Sequence, residues 1–408
     1  MHILIITPTL PVPTSGGRTR VYNLIKHLAA HHQITVLSFL QPADQEWLAT
    51  LEPYCTHLEL VPFAGFKPSG KWANRIRGWA QILFSRRPRY VHTFPVETIR
   101  ETLRSLLDRQ YFDIVVFEFL YLVELVNEID GIPTLLVEHN VENDIQKRLY
   151  ETATGPVYYF REKLLWCKLS KFERDYLQKF PSCIAVSERD AALLREMSPT
   201  TNVHLVPNGV DSKAFRPAAG LLRANNTLLF FGTLNYTPNV EGIVWFVHEI
   251  LPHIREIRPG VELQIVGMDP APAVTALAQL PGVSLVGFVP DIRERLWSAT
   301  ACVVPLLTGG GTRLKILEAL AAGCPVVSTT IGAEGLDLKP GEHLLIADTA
   351  EDFAARVVTL LDSPALQQEL AHRGQKSVAA RYDWAIIARK MDLALQKTVE
   401  SWRSGGTA

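Results

Sequence analysis

Apolar and polar positions follow one grammar twice along this chain. Ile3 to Ile6 is an unbroken apolar run, the pattern of a parallel strand buried on both faces. After the loop Pro11-Val12-Pro13-Thr14-Ser15-Gly16-Gly17, apolar Val21, Leu24, Ile25 and Leu28 recur at helical spacing and predict a helix from Arg18 to Ala30. Ile34 to Phe39 then returns to a strand and completes a βαβ unit. Further strands are expected at Ile114 to Phe119, Thr134 to Glu138 and Cys183 to Ser187, with a charged amphipathic helix from Arg161 to Lys179. The second half restarts with a strand at Leu228 to Gly232 and a helix at Gly242 to Ile254. Strands follow at Leu263 to Gly267, Val303 to Leu306, Pro325 to Ser328 and His343 to Ile346, then helices from Ala350 to Leu361 and from Tyr382 to about Trp402. Strands alternating with helices predict doubly wound α/β architecture.

Length turns one such fold into two, because 408 residues suit two domains of about 200. A net charge of −1 with 47% hydrophobic residues implies large cores and selects no partner by charge. The five cysteines, Cys55, Cys167, Cys183, Cys302 and Cys324, show no C-x-x-C spacing. That argues against zinc or a disulfide framework and for reduced, buried thiols in the cytosol. MHILIITPTLPVP lacks a basic region and breaks at prolines, so it reads as a first strand rather than a signal peptide. No apolar run approaches the ~18 residues that span a bilayer. Residues 67–90 differ from this balance, with many cations, no acid, and Trp72, Ile76, Trp79, Ile82 and Leu83 near one helical face. Such a segment either packs its apolar face on the core or lies in a membrane interface. Nucleic-acid binding is not indicated, since charge elsewhere is balanced.

The densest chemistry lies between Val303 and Leu336. Gly309, Gly310 and Gly311 let the backbone approach a ligand, and Thr312 reads as the N-cap of a helix with Leu314, Leu317, Leu320 and Ala321 on one face. Arg313 and Lys315 oppose the helix dipole at this end and are costly there unless an anion binds. Glu318 follows Lys315 by one turn and can accept hydrogen bonds from a ribose diol. The combination predicts a nucleotide-diphosphate site. Taken alone, three glycines and a Lys315–Glu318 pair are also compatible with an ordinary turn and a surface pair. In the first half, Gly16-Gly17 opens the first crossover without the G-x-G-x-x-G fingerprint, and Glu118 and His139 end two strands where doubly wound sheets bind ligands.

Glu318 to Val327, EALAAGCPVV, resembles the LEAMAxGxPVV segment of retaining glycosyltransferases of the family 4 kind. Pro207-Asn208-Gly209-Val210-Asp211 followed by Phe215 resembles that family's hinge, Val286 to Asp291 its base-holding loop, and Glu334-Gly335 its GAEGL wording. The resemblance implies the GT-B fold, two Rossmann-like doubly wound domains facing a central cleft. Its expected domains are 1–211 on the acceptor side, 212–382 for the nucleotide sugar, and a helix at 383–408 crossing back. It implies donor contacts from Gly16, Gly17, Gly232, Phe288, Gly309, Gly310, Gly311, Thr312, Leu314 and Glu318. Asp291 is either part of the base loop or a helix N-cap.

Two departures qualify that pattern. The first glutamate of the family's E-x7-E motif falls on Gly310, as in a branch carrying GGGTRLKILEA. The usual arginine after the first strand of the second domain reads Thr233, and the lysine region reads Tyr236-Thr237-Pro238-Asn239. Arg313 and Lys315 are the expected replacements, and with His139, whose His139-Asn140 pair resembles the family's sugar-contacting histidine, they are the expected catalytic residues. The resemblance implies transfer from a nucleotide-diphosphate sugar to a glycan or lipid-linked acceptor in cell-surface polysaccharide or glycoconjugate synthesis. The transfer is expected to be retaining, without a metal or cofactor. The setting would be cytoplasmic, with a peripheral contact to the inner face of the membrane through residues 67–90. The alternatives are a non-catalytic nucleotide-sugar binder, which loss of the first glutamate makes conceivable, and a GT-B epimerase or phosphorylase. No acid–base pair or pyridoxal lysine motif supports the last two.

Overall fold

A computed structural model describes residues 1–14, 16–63, 85, 87, 88, 91, 93–217 and 225–405. The chain divides into two compact units, Met1–Pro207 with Ala388–Ala408, and Asn208–Ile387.

The first unit is built on a seven-stranded sheet in the order β3-β2-β1-β4-β5-β6-β7, with every neighbouring pair parallel. Its strands are β1 (His2–Thr7), β2 (Gln33–Leu40), β3 (His57–Pro62), β4 (Ile114–Glu118), β5 (Thr134–Glu138), β6 (Ser182–Ala185) and β7 (Asn202–Leu205). The central strands β1, β4 and β5 are almost wholly buried, as their apolar runs predict, because helices cover both faces of a parallel sheet. Among the described residues, its α-helices of ten or more residues are α1 (Gly16–Leu28), α2 (Val96–Arg109), α3 (Glu142–Glu151), α4 (Pro156–Leu177) and α5 (Glu188–Met197). Ser187 caps α5 by accepting from the Asp190 amide at 3.0 Å. Strand order reverses between β1 and β4, so the ends of β1, β4 and β5 gather at a switch point.

The second unit repeats the plan with six parallel strands in the order β10-β9-β8-β11-β12-β13. They are β8 (Thr227–Phe231), β9 (Glu262–Val266), β10 (Val283–Gly287), β11 (Ala301–Val304), β12 (Val326–Ser328) and β13 (Leu345–Ile346). The single helix expected from Gly242 to Ile254 is three pieces: α6 (Thr237–Trp245), a π turn (Phe246–Ile250) and α7 (Leu251–Ile257). Pro252 lacks the amide that a continuous α-helix requires, which accounts for the wider turn before it. The remaining helices are α8 (Pro272–Leu277), α9 (Arg293–Ser298), α10 (Leu314–Ala321), α11 (Thr330–Ala333), α12 (Ala350–Asp362), α13 (Pro364–Arg381) and α14 (Trp384–Gly405). From Ala388 onward α14 belongs to the first unit, where Asp392 meets His32 at 2.8 Å.

Several expectations change. β3, β7 and β10 were not expected as strands; their half-buried, polar-interrupted sequences lack an apolar run. Three cysteines are buried as expected, but Cys55 is only partly so and Cys167 is exposed. Among the described residues, no helix is long and apolar enough to cross a membrane. Of the basic segment 67–90, only Ser85, Arg87 and Pro88 lie among the described residues.

Candidate functional site

In the first unit the ends of β1, β4 and β5 form one corner. Glu118, the last residue of β4, and His139, directly after β5, are both buried, and His139 Nε2 meets Glu118 Oε2 at 2.6 Å. Burial lowers the His139 pKa, Glu118 opposes that shift, and the cation Arg20 reinforces it. The imidazole is therefore neutral at pH 7. Its Nε2–H is donated to the carboxylate, which leaves Nδ1 as acceptor.

Phe119 closes this corner. Its ring stacks on His139 with centroids 3.7 Å apart and planes 13° apart. Its backbone has φ 68° and ψ 159°, a region that L-residues avoid and that costs on the order of 1–3 kcal/mol. Gly17 follows from that ring, because a Cβ at Gly17 would lie 2.6 Å from Phe119 Cζ and 3.3 Å from His139 Nδ1. Gly16 and Gly17 are the first turn of α1, two residues earlier than periodicity indicated. Arg20, fully buried one turn on, donates to the carbonyls of Val206 at 2.8 Å and Pro207 at 2.6 Å. Burial lowers its pKa to about 10 despite the Glu118 charge.

The corresponding corner of the second unit lies where β8 and β11 flank its switch point. Gly232, after β8, has φ 145°, and a Cβ there would stand 3.1 Å from Lys315 Nζ. Lys315 donates to Asn239 Oδ1 at 2.8 Å and lies over the Phe230 ring at 4.6 Å. Asn239 is itself fixed by donation to the Thr233 carbonyl at 2.9 Å. Burial brings the Lys315 pKa down to about 8 and Glu318 up to about 7, with each opposing the other's shift. Both residues nevertheless keep a partly exposed surface. Among the described residues, Glu318 accepts no side-chain hydrogen bond.

The glycine turn departs from expectation. Thr312 does not cap the helix: α10 starts at Leu314, its N-cap is Arg313 with no side-chain cap bond, and Thr312 Oγ1 accepts from Asn208 Nδ2 at 2.6 Å. The glycines therefore precede the helix start rather than open it. Arg313 folds back to donate to the carbonyls of Gly310 and Gly311, so it braces the turn. Asp291 does not cap α9, whose N-cap is Ile292, but it accepts from the Arg293 amide at 2.9 Å. Phe288 is 57% exposed just beyond β10, and Leu314 is half-buried. Sequence reasoning missed Arg20, noted Glu118 and Phe119 only at a strand end, and named Asn239 only within the region where the family's lysine falls. A carboxylate and a histidine ending adjacent strands were the available signal. Among the described residues, no group of three or more His, Cys, Asp or Glu side chains is placed to hold a metal ion.

Two Rossmann-like parallel-sheet units with such corners at their switch points define a GT-B protein, and comparison bears on which kind. Residues 14–214 match the family described as Glycosyltransferase Family 4, and residues 225–363 match Glycosyl transferases group 1. The chain is similar to an uncharacterized 44.6 kDa protein in the cps region of Klebsiella pneumoniae, 23% identical over 93% of this chain and 96% of that one. It is 30% identical to a phosphatidyl-myo-inositol mannosyltransferase of Mycobacterium leprae over 46% of this chain, an alignment that spans about half (51%) of that protein. Among solved structures it shares its fold with sucrose-phosphate synthase from Thermosynechococcus elongatus, with TM-score 0.75 and 19% identity over 98% of this chain and 99% of that chain. Anabaena HepE in complex with UDP and glucose superposes with TM-score 0.69 and 14% identity over 97% and 100%. The chain belongs to the GT-B glycosyltransferases, with a family 4 match in its first half and a group 1 match in its second.

Proposed function

We propose that the protein transfers a sugar from a nucleotide-diphosphate sugar to a glycan or lipid-linked acceptor in cell-surface glycoconjugate synthesis, with retention and without a resident metal or cofactor. The observation that carries this reading is the second unit's corner. There a lysine with a lowered pKa stands beside Gly232, and a carboxylate with a raised pKa follows one turn on. A diphosphate beside Lys315 would restore the ammonium, and a ribose diol would give Glu318 the donors it lacks. In the reaction the bond from the sugar's anomeric carbon to the diphosphate oxygen breaks, and a bond from that carbon to the acceptor oxygen forms on the same face. The acceptor's proton passes to the departing diphosphate, whose charge Lys315 stabilises. Arg313 holds the Gly309–Gly311 turn in shape for the phosphates. His139, held by Glu118 and Phe119, presents Nδ1 to a sugar hydroxyl and orients rather than attacks.

The transferase names among the relatives support transfer over a non-catalytic binder or an epimerase. HepE was solved with UDP-glucose, which makes UDP-sugars the first donors to try. The membrane contact expected of residues 67–90 stays part of this proposal. The test is release of nucleoside diphosphate from a panel of UDP-, GDP-, ADP- and dTDP-sugars, with and without EDTA and a lipid-linked acceptor. Selective release that persists in EDTA is expected. Tight nucleotide binding without release under every condition would favour the non-catalytic reading, and loss of release in EDTA would overturn the metal-independent part.

A further inference from the structure

Tyr236-Thr237-Pro238-Asn239 opens α6, with Pro238 in the first turn, where a missing amide costs nothing. This turn seats Asn239, which is buried, at the second unit's corner. Both ends of its amide are used: Nδ2 donates to the Thr233 carbonyl at 2.9 Å, and Oδ1 accepts from Lys315 Nζ at 2.8 Å. The two bonds fix the amide's orientation, because a flip would set an NH2 group against the ammonium and an oxygen against a carbonyl. The ammonium also lies 4.6 Å from the ring centroid of Phe230 on β8. Gly232 leaves room for the pair, since a Cβ there would stand 3.0 Å from Asn239 Nδ2 and 3.1 Å from Lys315 Nζ.

Every group that holds this cation is neutral. Among the described residues Lys315 forms no ion pair, and Arg313 beside it turns back to the carbonyls of Gly310 and Gly311. A carboxylate at position 239 would hold the ammonium more strongly but would offset its charge toward any ligand. An amide oxygen takes one of the three N–H donors and leaves the charge and the other two for an anion. We infer that Asn239 is a positioning residue of the donor site: it directs the Lys315 ammonium toward the diphosphate and keeps its charge unpaired until the donor binds. The inference rests on the reading of this corner as the diphosphate site, and adds to it the residue that orients the cation.

Two substitutions at position 239 have opposite signatures. Burial brings the Lys315 pKa down to about 8, with Cys302 on β11 raising it, Arg313 lowering it and Glu318 raising it. An acceptor bonded to the ammonium favours the charged form, and a carboxylate favours it more. Loss of the oxygen in Asn239→Ala therefore moves the alkaline limit of diphosphate binding to lower pH. Asn239→Asp moves that limit to higher pH while weakening binding near neutrality. Both variants lose the donation to Thr233, so that loss alone cannot separate them.

The test is calorimetric binding of UDP, GDP, ADP and dTDP to the full chain from about pH 6 to 10, a range that brackets the lysine's titration. Wild type is compared with Lys315→Met, Asn239→Ala and Asn239→Asp, each checked for folding by circular dichroism. Wild type is expected to bind at least one of these nucleotides, and Lys315→Met to bind it roughly tenfold more weakly. Asn239→Ala is expected to weaken binding several-fold with an earlier alkaline fall-off. Asn239→Asp is expected to weaken it roughly tenfold at neutral pH, with the fall-off about one pH unit later. Should the aspartate variant not fold, the earlier fall-off of the alanine variant decides. Wild-type affinity and fall-off in both Asn239 variants, with Lys315→Met still impaired, would overturn the inference and leave the diphosphate site standing. So would fall-offs that move the same way in both. No binding of any of the four by wild type, or equal binding by Lys315→Met, would overturn the reading of the corner and the inference with it.

Discussion

In the first unit His139 and Glu118 are enclosed and bonded at 2.6 Å, and the ring of Phe119, whose backbone is strained, holds the imidazole from one face. In the second, Lys315 and Glu318 keep partial exposure, bond to each other through no direct contact, and have pKa values displaced toward neutrality. The first corner fixes its imidazole without a ligand. At the second, among the described residues, Lys315 is held by Asn239 and the Phe230 ring but meets no carboxylate, and Glu318 accepts no side-chain hydrogen bond. Preorganisation and unmet demand are two different ways to prepare a site, and under the proposed function this chain uses one in each unit.

The comparison breaks most visibly at His139. His139→Ala, with the fold verified by circular dichroism, is expected to lower transfer by roughly 10²-fold, the scale of a lost positioning or acid–base group. Activity within threefold of wild type would remove the first corner from the reaction. Next, Glu318→Ala is expected to weaken UDP binding by about 10- to 100-fold in calorimetry, the range for losing hydrogen bonds to a charged group. Unchanged affinity would mean that the ribose sits elsewhere.

Acidity sharpens the contrast further. Lys315, with its pKa near 8, must gain a proton to meet a diphosphate above that pH, so affinity falls as pH rises through 8. Glu318, with its pKa near 7, must lose one to accept from a diol below that pH, so affinity falls as pH drops through 7. UDP affinity is expected to peak between these limits. Lys315→Met should flatten the alkaline limb and Glu318→Gln the acidic limb, at reduced affinity in both; a profile flat from pH 6 to 9 in wild type would contradict the unmet demand. The smallest effect belongs to Phe119→Leu, which keeps bulk but loses the stacked ring. It is expected to reduce transfer only several-fold and to change the pH dependence of transfer near the His139 titration; wild-type rate and pH profile would remove the ring from the site.

How much of this was legible depended on the range of the cause. Buried strands such as β1, β4 and β5 announce themselves locally, because both faces are covered and every position is apolar. Edge strands β3 and β7 do not, since half their surface meets water. Lys315 and Glu318 were legible because they share a helix turn. Phe119 was not: its importance lies in a backbone angle and in a ring packed against residues 102 positions upstream, at Gly17, and 20 downstream, at His139. Thr312 misled for a related reason, since it sits where a cap belongs, but Asn208 claims its hydroxyl.

Arg20 and α14 carry a consequence for biosynthesis. The first unit is interrupted: its chain departs at Pro207, pinned by Arg20 to α1, and resumes only at Ala388, where buried Ala394, Leu395 and Val399 complete its packing. A ribosome therefore finishes the whole of Asn208–Ile387 before the first unit receives its last helix. The half that begins the chain is the later one to be sealed, and until then its incomplete surface is what chaperones and proteases encounter.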